Sequence, residues 1–170
     1  MGAQGLTDAA VDAGPLIHLG EIGGIAFLRV FRLLHVPEAV WAETVGRDRV
    51  QEADLLSLTH LQRRVVVQEK VTRFVTENNL GHLHAGEEES LYLCYSDRLL
   101  LLLTDDLAVR EAAKHRGITP VGSLGVVVRA YRTGQISVSE AERFLNDLYD
   151  SSTLFVTRTI VDLAMEQLRR

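Results

Sequence analysis

Short apolar runs alternate with amphipathic helical patterns along most of this chain. Leu99 to Leu103 is an unbroken leucine run, which suits a strand buried on both faces of a parallel sheet. It runs into Thr104, Asp105 and Asp106, and then LAVREAAKHRG takes up a helical period ended by Gly117. The same unit recurs. Ala9 to Asp12 (AAVD) reads as a short strand ending in an acid, followed by a helix with Pro15 in its first turn. Leu33 to Val36 (LLHV) reads as a second strand, stopped by Pro37, and PEAVWAETVG reads as the helix after it. The β-branched stretch Arg64 to Gln68 (RVVVQ) predicts an edge strand, and Ile118 to Val121 (ITPV) a last one. Helices are expected over 25–32, 47–59, 70–78, from Gly86 through the EEESLYLCY stretch, over 126–134 and over 158–169. Ser137 and Glu140 form a capping box in front of AERFLNDLY, another helix. Thr153 to Val156 reads as extended.

Strands alternating with helices predict an α/β fold, a three-layer sandwich with helices on both faces of a central, mostly parallel sheet. Right-handed crossovers place the carboxyl ends of the strands on one edge, where ligands bind in such sheets. No internal repeat or linker divides the chain.

Composition narrows the classes. At 170 residues and 46% hydrophobic content, the chain can bury a real core. A net charge of −5 argues against a broad basic face for nucleic acid. The single cysteine, Cys94, sits in an apolar helical pattern and reads as core; with no disulfide possible within the chain, the expected compartment is the reducing cytoplasm. No apolar run reaches the ~18 residues of a membrane span. MGAQGL begins like a myristoylation signal, but Leu6 stands where Ser or Thr is wanted, and no signal peptide is expected.

The acids carry the chemistry. Asp12 ends the first strand, Asp105 and Asp106 end the fourth, Glu87 and Glu89 lie at the start of the helix leading into it, and Glu43 lies beside the apolar stripe of the helix after strand two. An N-cap role is the plain alternative for the aspartates, and dipole compensation for the glutamates. If strands one and four are neighbours, Asp12 and Asp105 come within a few ångströms. At an effective dielectric of 20, two such charges 4 Å apart cost about 4 kcal/mol. A cluster of this kind holds protons or binds a cation. Oxygen ligands without a thiolate select Mg²⁺ or Mn²⁺, which activate water and polarise phosphates.

The segments VDAGPLIHL, VPEAVWAETV, GEEESLYL, LLTDDLAVREAAKHRGI and VGSLGVVVRA, in this order, resemble PIN-domain proteins. The similarity is to the VapC-like toxin nucleases whose motifs read D-x-S-P-L-I, P-x-x-V-x-x-E, G-E-x-E-A, D-D-x-x-A-R and G-T-L-G. The resemblance implies one domain over 1–170, with the motifs within 8–134 and a helical extension over 135–170. It implies Mg²⁺- or Mn²⁺-dependent cleavage of RNA by a homodimer, restrained by an antitoxin. It carries over Asp12, Glu43, Glu87 and Asp105 as metal-binding acids, with Asp106 as a further ligand or an orienting group. Glu89 matches the second acid of its motif, and Arg110 is expected as a structural or charge-balancing partner of the acids. The chain departs from the pattern at Gly14, where the family has Ser or Thr, and at Ser90, Val109 and Ser123.

Two other functions compete. A receiver-like phosphoacceptor also gathers aspartates around Mg²⁺, but it needs its acid pair after the first strand and a lysine after the fifth, and neither is here. A catalytically silent PIN-like binding module would not need every acid retained. His82 and His84, near Glu87, read as solvated loop residues; His18, His35, His60 and His115 show no partner in the sequence. Arg29, Arg32, Arg47, Arg49, Arg63 and Arg64 are candidate phosphate contacts or plain surface.

Overall fold

Strands β1 (Asp8–Val11), β2 (Leu33–Pro37), β3 (Leu61–Arg64), β4 (Leu101–Leu103) and β5 (Thr119–Val121) pair in the order β3-β2-β1-β4-β5. Every pairing is parallel, so all carboxyl ends share one edge. The computed structural model describes residues 7–170; the MGAQGL stretch lies outside the described residues. The chain runs outward from β1 through β2 to β3, then returns to the other side of β1 for β4 and β5. The reversal falls between β1 and β4, the position at which doubly wound sheets open a ligand crevice.

Nine α-helices lie among the described residues: α1 (Ala13–Glu21), α2 (Glu38–Thr44), α3 (Glu52–Leu56), α4 (Gln68–Glu77), α5 (Ala85–Asp97), α6 (Leu107–Lys114), α7 (Ser123–Arg132), α8 (Val138–Asp150) and α9 (Arg158–Gln167). Side chains alternate across the sheet with period two. Ala9, Val11, Leu34, Val36 and Leu103 face a core shared with α1, α7, α8, α9 and a 3-10 helix over Ile25–Val30. Ala10 and Leu102 face a second core with α4, α5 and α6. The sheet is therefore buried on both faces, as the apolar runs predicted. Full burial of a leucine such as Leu102 or Leu103 contributes roughly 1.5–3 kcal/mol.

Several boundaries differ from the sequence pattern. The third strand forms three residues early, over Leu61–Arg64, because backbone pairing of Leu61 with Leu34 and Arg64 with Pro37 sets its register. Val65 and Val67 are left exposed beyond it; β-branched propensity yields to register at a sheet edge. The leucine run contributes only Leu101–Leu103 to its strand, and Leu100 points to solvent. The helix expected over 47–59 shrinks to α3, and residues 153–156 pair with no strand. Tyr95, on α5, is exposed and stacks on Phe74. Ser137 accepts from the Glu140 amide and Glu140 accepts from the Ser137 amide, completing the capping box of α8.

Among the described residues, no helix is long and apolar enough to cross a membrane.

Candidate active site

Asp12 follows β1 directly and caps α1. Its Oδ1 accepts from the Ala13 amide at 2.8 Å, and its Oδ2 accepts from the Thr104 hydroxyl at 3.0 Å. The Asp12 amide in turn donates to the Leu103 carbonyl at 2.9 Å, so the β1–β4 ladder runs up to the acid itself. Asp12 is only 5% exposed. Burial pushes its carboxyl up to about 7, and the negative charges of Glu87 and Glu43 add to the rise against the two hydrogen bonds. None of the ion pairs among the described residues involves Asp12, Glu43 or Glu87.

Glu43 reaches this corner because α2 packs closely on α5. A Cβ on Gly86 would meet Val40 Cγ2 at 3.1 Å and Glu43 Oε2 at 3.3 Å, so the glycine at that helix start is what lets the helices approach. Glu87 stands one residue on, half-buried, with its carboxylate accepting from the His84 amide at 2.8 Å. Desolvation raises its carboxyl above the ordinary range, and Asp106 and Glu43 raise it further. Ser90, where the motif carries Ala, is fully buried; its hydroxyl donates to Gly86 O at 2.7 Å and Val11 O at 3.3 Å, tying α5 to the end of β1.

Asp105 and Asp106 cap different helices. Asp106 is the N-cap of α6, accepting from the Val109 amide at 3.0 Å. Asp105 caps nothing on its own helix. Its Oδ1 accepts from the Ser123 amide at 2.7 Å, and its Oδ2 accepts from the Ser123 hydroxyl at 2.6 Å and from His18 Nδ1 at 2.7 Å. Gly122 makes room for this, since a Cβ there would lie 2.8 Å from Asp105 Oδ1. Arg110 Nη1 donates to the Thr104 carbonyl at 3.1 Å. It braces the turn after β4 and is in no ion pair among the described residues.

Glu89 lies apart from the others. Its carboxylate accepts from the Ala39 amide at 3.0 Å, capping α2 from outside that helix. His82 and His84 are exposed. Of the candidate phosphate contacts, Arg32 is paired with Asp8, Arg63 with Glu38 and Arg64 with Asp97, while Arg29 is exposed on the 3-10 helix and Arg47 and Arg49 are exposed in the turns after α2.

The residues that sequence reasoning passed over are Thr104, Ser123 and His18, all three donors to the aspartates. A signal existed for His18: it stands four residues after Gly14, on the same face of α1.

The donor set fits a hard divalent cation. It is all oxygen, and its innermost carboxylate is buried with no cation beside it. Among the described residues, however, no three acid, histidine or cysteine side chains form a finished metal cage.

A family model described as a PIN domain matches residues 8–170. No curated protein matches the chain.

Proposed function

Since the chain belongs to the PIN-domain family, whose members are generally nucleases, we propose that it hydrolyses RNA phosphodiester bonds with Mg²⁺ or Mn²⁺. The observation that carries this reading is Asp12: a buried carboxylate at the β1/β4 reversal, in no ion pair among the described residues, with Glu43 and Glu87 in its field. Asp12, Glu43, Glu87 and Asp105 are the acids assigned to hold the cation, with Asp106 beside them. A bound divalent ion supplies positive charge to an acidic site, polarises a phosphoryl oxygen and acidifies water.

The chain's own groups do the rest. Thr104 and the Ala13 amide hold the Asp12 carboxylate in one orientation. His18 and Ser123 do the same for Asp105. Glu87 is half-buried and its carboxyl is raised by desolvation, so it would take the proton of the attacking water as that oxygen bonds to phosphorus and return it to the leaving oxygen as the old P–O bond breaks. Arg29, Arg47 and Arg49 are exposed and in no ion pair among the described residues, which leaves them open to RNA phosphates.

The finer reading, a VapC-like toxin that forms a homodimer and is neutralised by an antitoxin, rests on the motif resemblance. It expects growth arrest when the protein is produced alone, and relief when a short partner encoded beside it is co-produced.

The activity is tested by incubating purified protein with structured and unstructured RNA, with Mg²⁺, Mn²⁺ or chelator. Cleavage is expected with metal and not with chelator, and not in Asp12→Asn or Asp105→Asn. Cleavage that survives chelator contradicts the mechanism. RNA binding without cleavage under every condition assigns a silent binding module instead.

A further inference from the structure

The geometry points to His18 as a positioning residue that replaces the hydroxyl missing at Gly14 and fixes which oxygen of Asp105 stays free to ligate. This deepens the nuclease reading and rests on it. The pairing is non-local: His18 on α1 and Asp105 after β4 are 87 residues apart, and their atoms meet at 2.7 Å. Both side chains are largely buried, at 15% and 11% exposure. A carboxylate has only acceptors, so the shared hydrogen sits on His18 Nδ1, and His18 is held as an Nδ1–H donor.

Lone-pair counting gives the consequence. A carboxylate offers about four acceptor sites, two on each oxygen. The Ser123 hydroxyl and His18 fill both on Oδ2. The Ser123 amide takes one on Oδ1. The remaining acceptor capacity of Asp105 is therefore on Oδ1. Without His18, Oδ2 regains a site and the carboxylate loses one of the three bonds that stop it rotating.

The link to Gly14 is spatial. A Cβ built on Gly14 lies 3.6 Å from Asp105 Cβ, 3.6 Å from Asp105 Oδ2 and 3.6 Å from His18 Cε1. A serine or threonine there, as in the motif, would put its hydroxyl within reach of the same Oδ2. The imidazole does from four residues further along α1 what that hydroxyl would do from position 14. With no side chain at Gly14, the hydrogen bond to Oδ2 comes from His18 instead.

The test compares wild type with His18→Ala, His18→Asn and the double variant Gly14→Ser/His18→Ala, by Mn²⁺ titration calorimetry, urea unfolding and RNA cleavage. The asparagine amide nitrogen overlies Nδ1, so His18→Asn should bind Mn²⁺ within about threefold of wild type. His18→Ala should weaken Mn²⁺ binding by about tenfold or more, the usual range for removing a group that orients a ligand. Gly14→Ser should recover most of that loss in the His18→Ala background, which a purely structural histidine would not permit. A metal-independent readout separates this inference from the reading beneath it: ¹⁵N NMR of the imidazole should show the Nδ1–H form, and Asp105→Asn should perturb it. Wild type that binds no Mn²⁺ and cleaves nothing, with that signature present, overturns the nuclease reading and leaves the positioning contact standing. Unchanged Mn²⁺ affinity in His18→Ala, no recovery on adding Ser at 14, or an Nε2–H imidazole overturns the inference itself.

Discussion

Replacing Asp12 with Asn should stabilise the metal-free protein at pH 8 and weaken it slightly at pH 4. The folded carboxyl titrates near pH 7 against 3.8 in an unfolded chain. For an acid raised in this way, the folded state holds a proton that the unfolded state has released, so stability falls as pH rises through that window. The penalty is absent below about pH 4, accumulates between pH 4 and 7, and is complete above. Three units at 1.36 kcal/mol each give about 4 kcal/mol. Asparagine escapes it. Its oxygen still accepts from the Ala13 amide, but its Nδ2 faces Thr104 Oγ1, which also accepts from the Asp106 amide at 3.3 Å. That rearrangement costs on the order of 1 kcal/mol at any pH. The net expectation is about 3 kcal/mol of stabilisation at pH 8 and about 1 kcal/mol of loss at pH 4. Trp41, the only tryptophan and well buried, reports unfolding in urea. Excess Mg²⁺ at pH 8, which favours the charged carboxylate, should raise the stability of wild type and leave the variant where it was. A wild-type-minus-variant difference that is the same at pH 4 and pH 8 refutes the reasoning.

Two further outcomes follow from contacts outside the acidic corner. Glu89→Ala removes the acceptor for the Ala39 amide and should lower unfolding stability by about 1–2 kcal/mol, with Glu89→Gln recovering most of it because an amide oxygen still accepts; equal losses in the two variants would contradict the capping role. Cys94 is buried, donates weakly to the Leu101 carbonyl and has its thiol pushed up to about 12 by burial, so iodoacetamide at pH 8 should label it only after urea unfolding. Equal labelling rates with and without urea, read by mass spectrometry, would show that the α5–β4 contact opens freely.

The alternation of apolar runs with helical patterns determined the parallel sheet and its two buried faces, because periodicity and capping are local properties that a chain displays before it folds. It also put Asp12, Asp105 and Asp106 at strand ends, since a strand that stops at an acid can only present that acid at its carboxyl edge. Tertiary structure decided the partners. The register of β3 came from pairing with β2 and not from its valines. Asp106 became a cap while Asp105 turned to Ser123 and His18, although the two are adjacent in sequence and chemically identical. Glu89 went to the start of α2, while its neighbour Glu87 entered the field of Asp12. A hydrogen bond spanning 87 residues leaves no trace in spacing; it exists only because the order β3-β2-β1-β4-β5 brings the ends of β1 and β4 side by side.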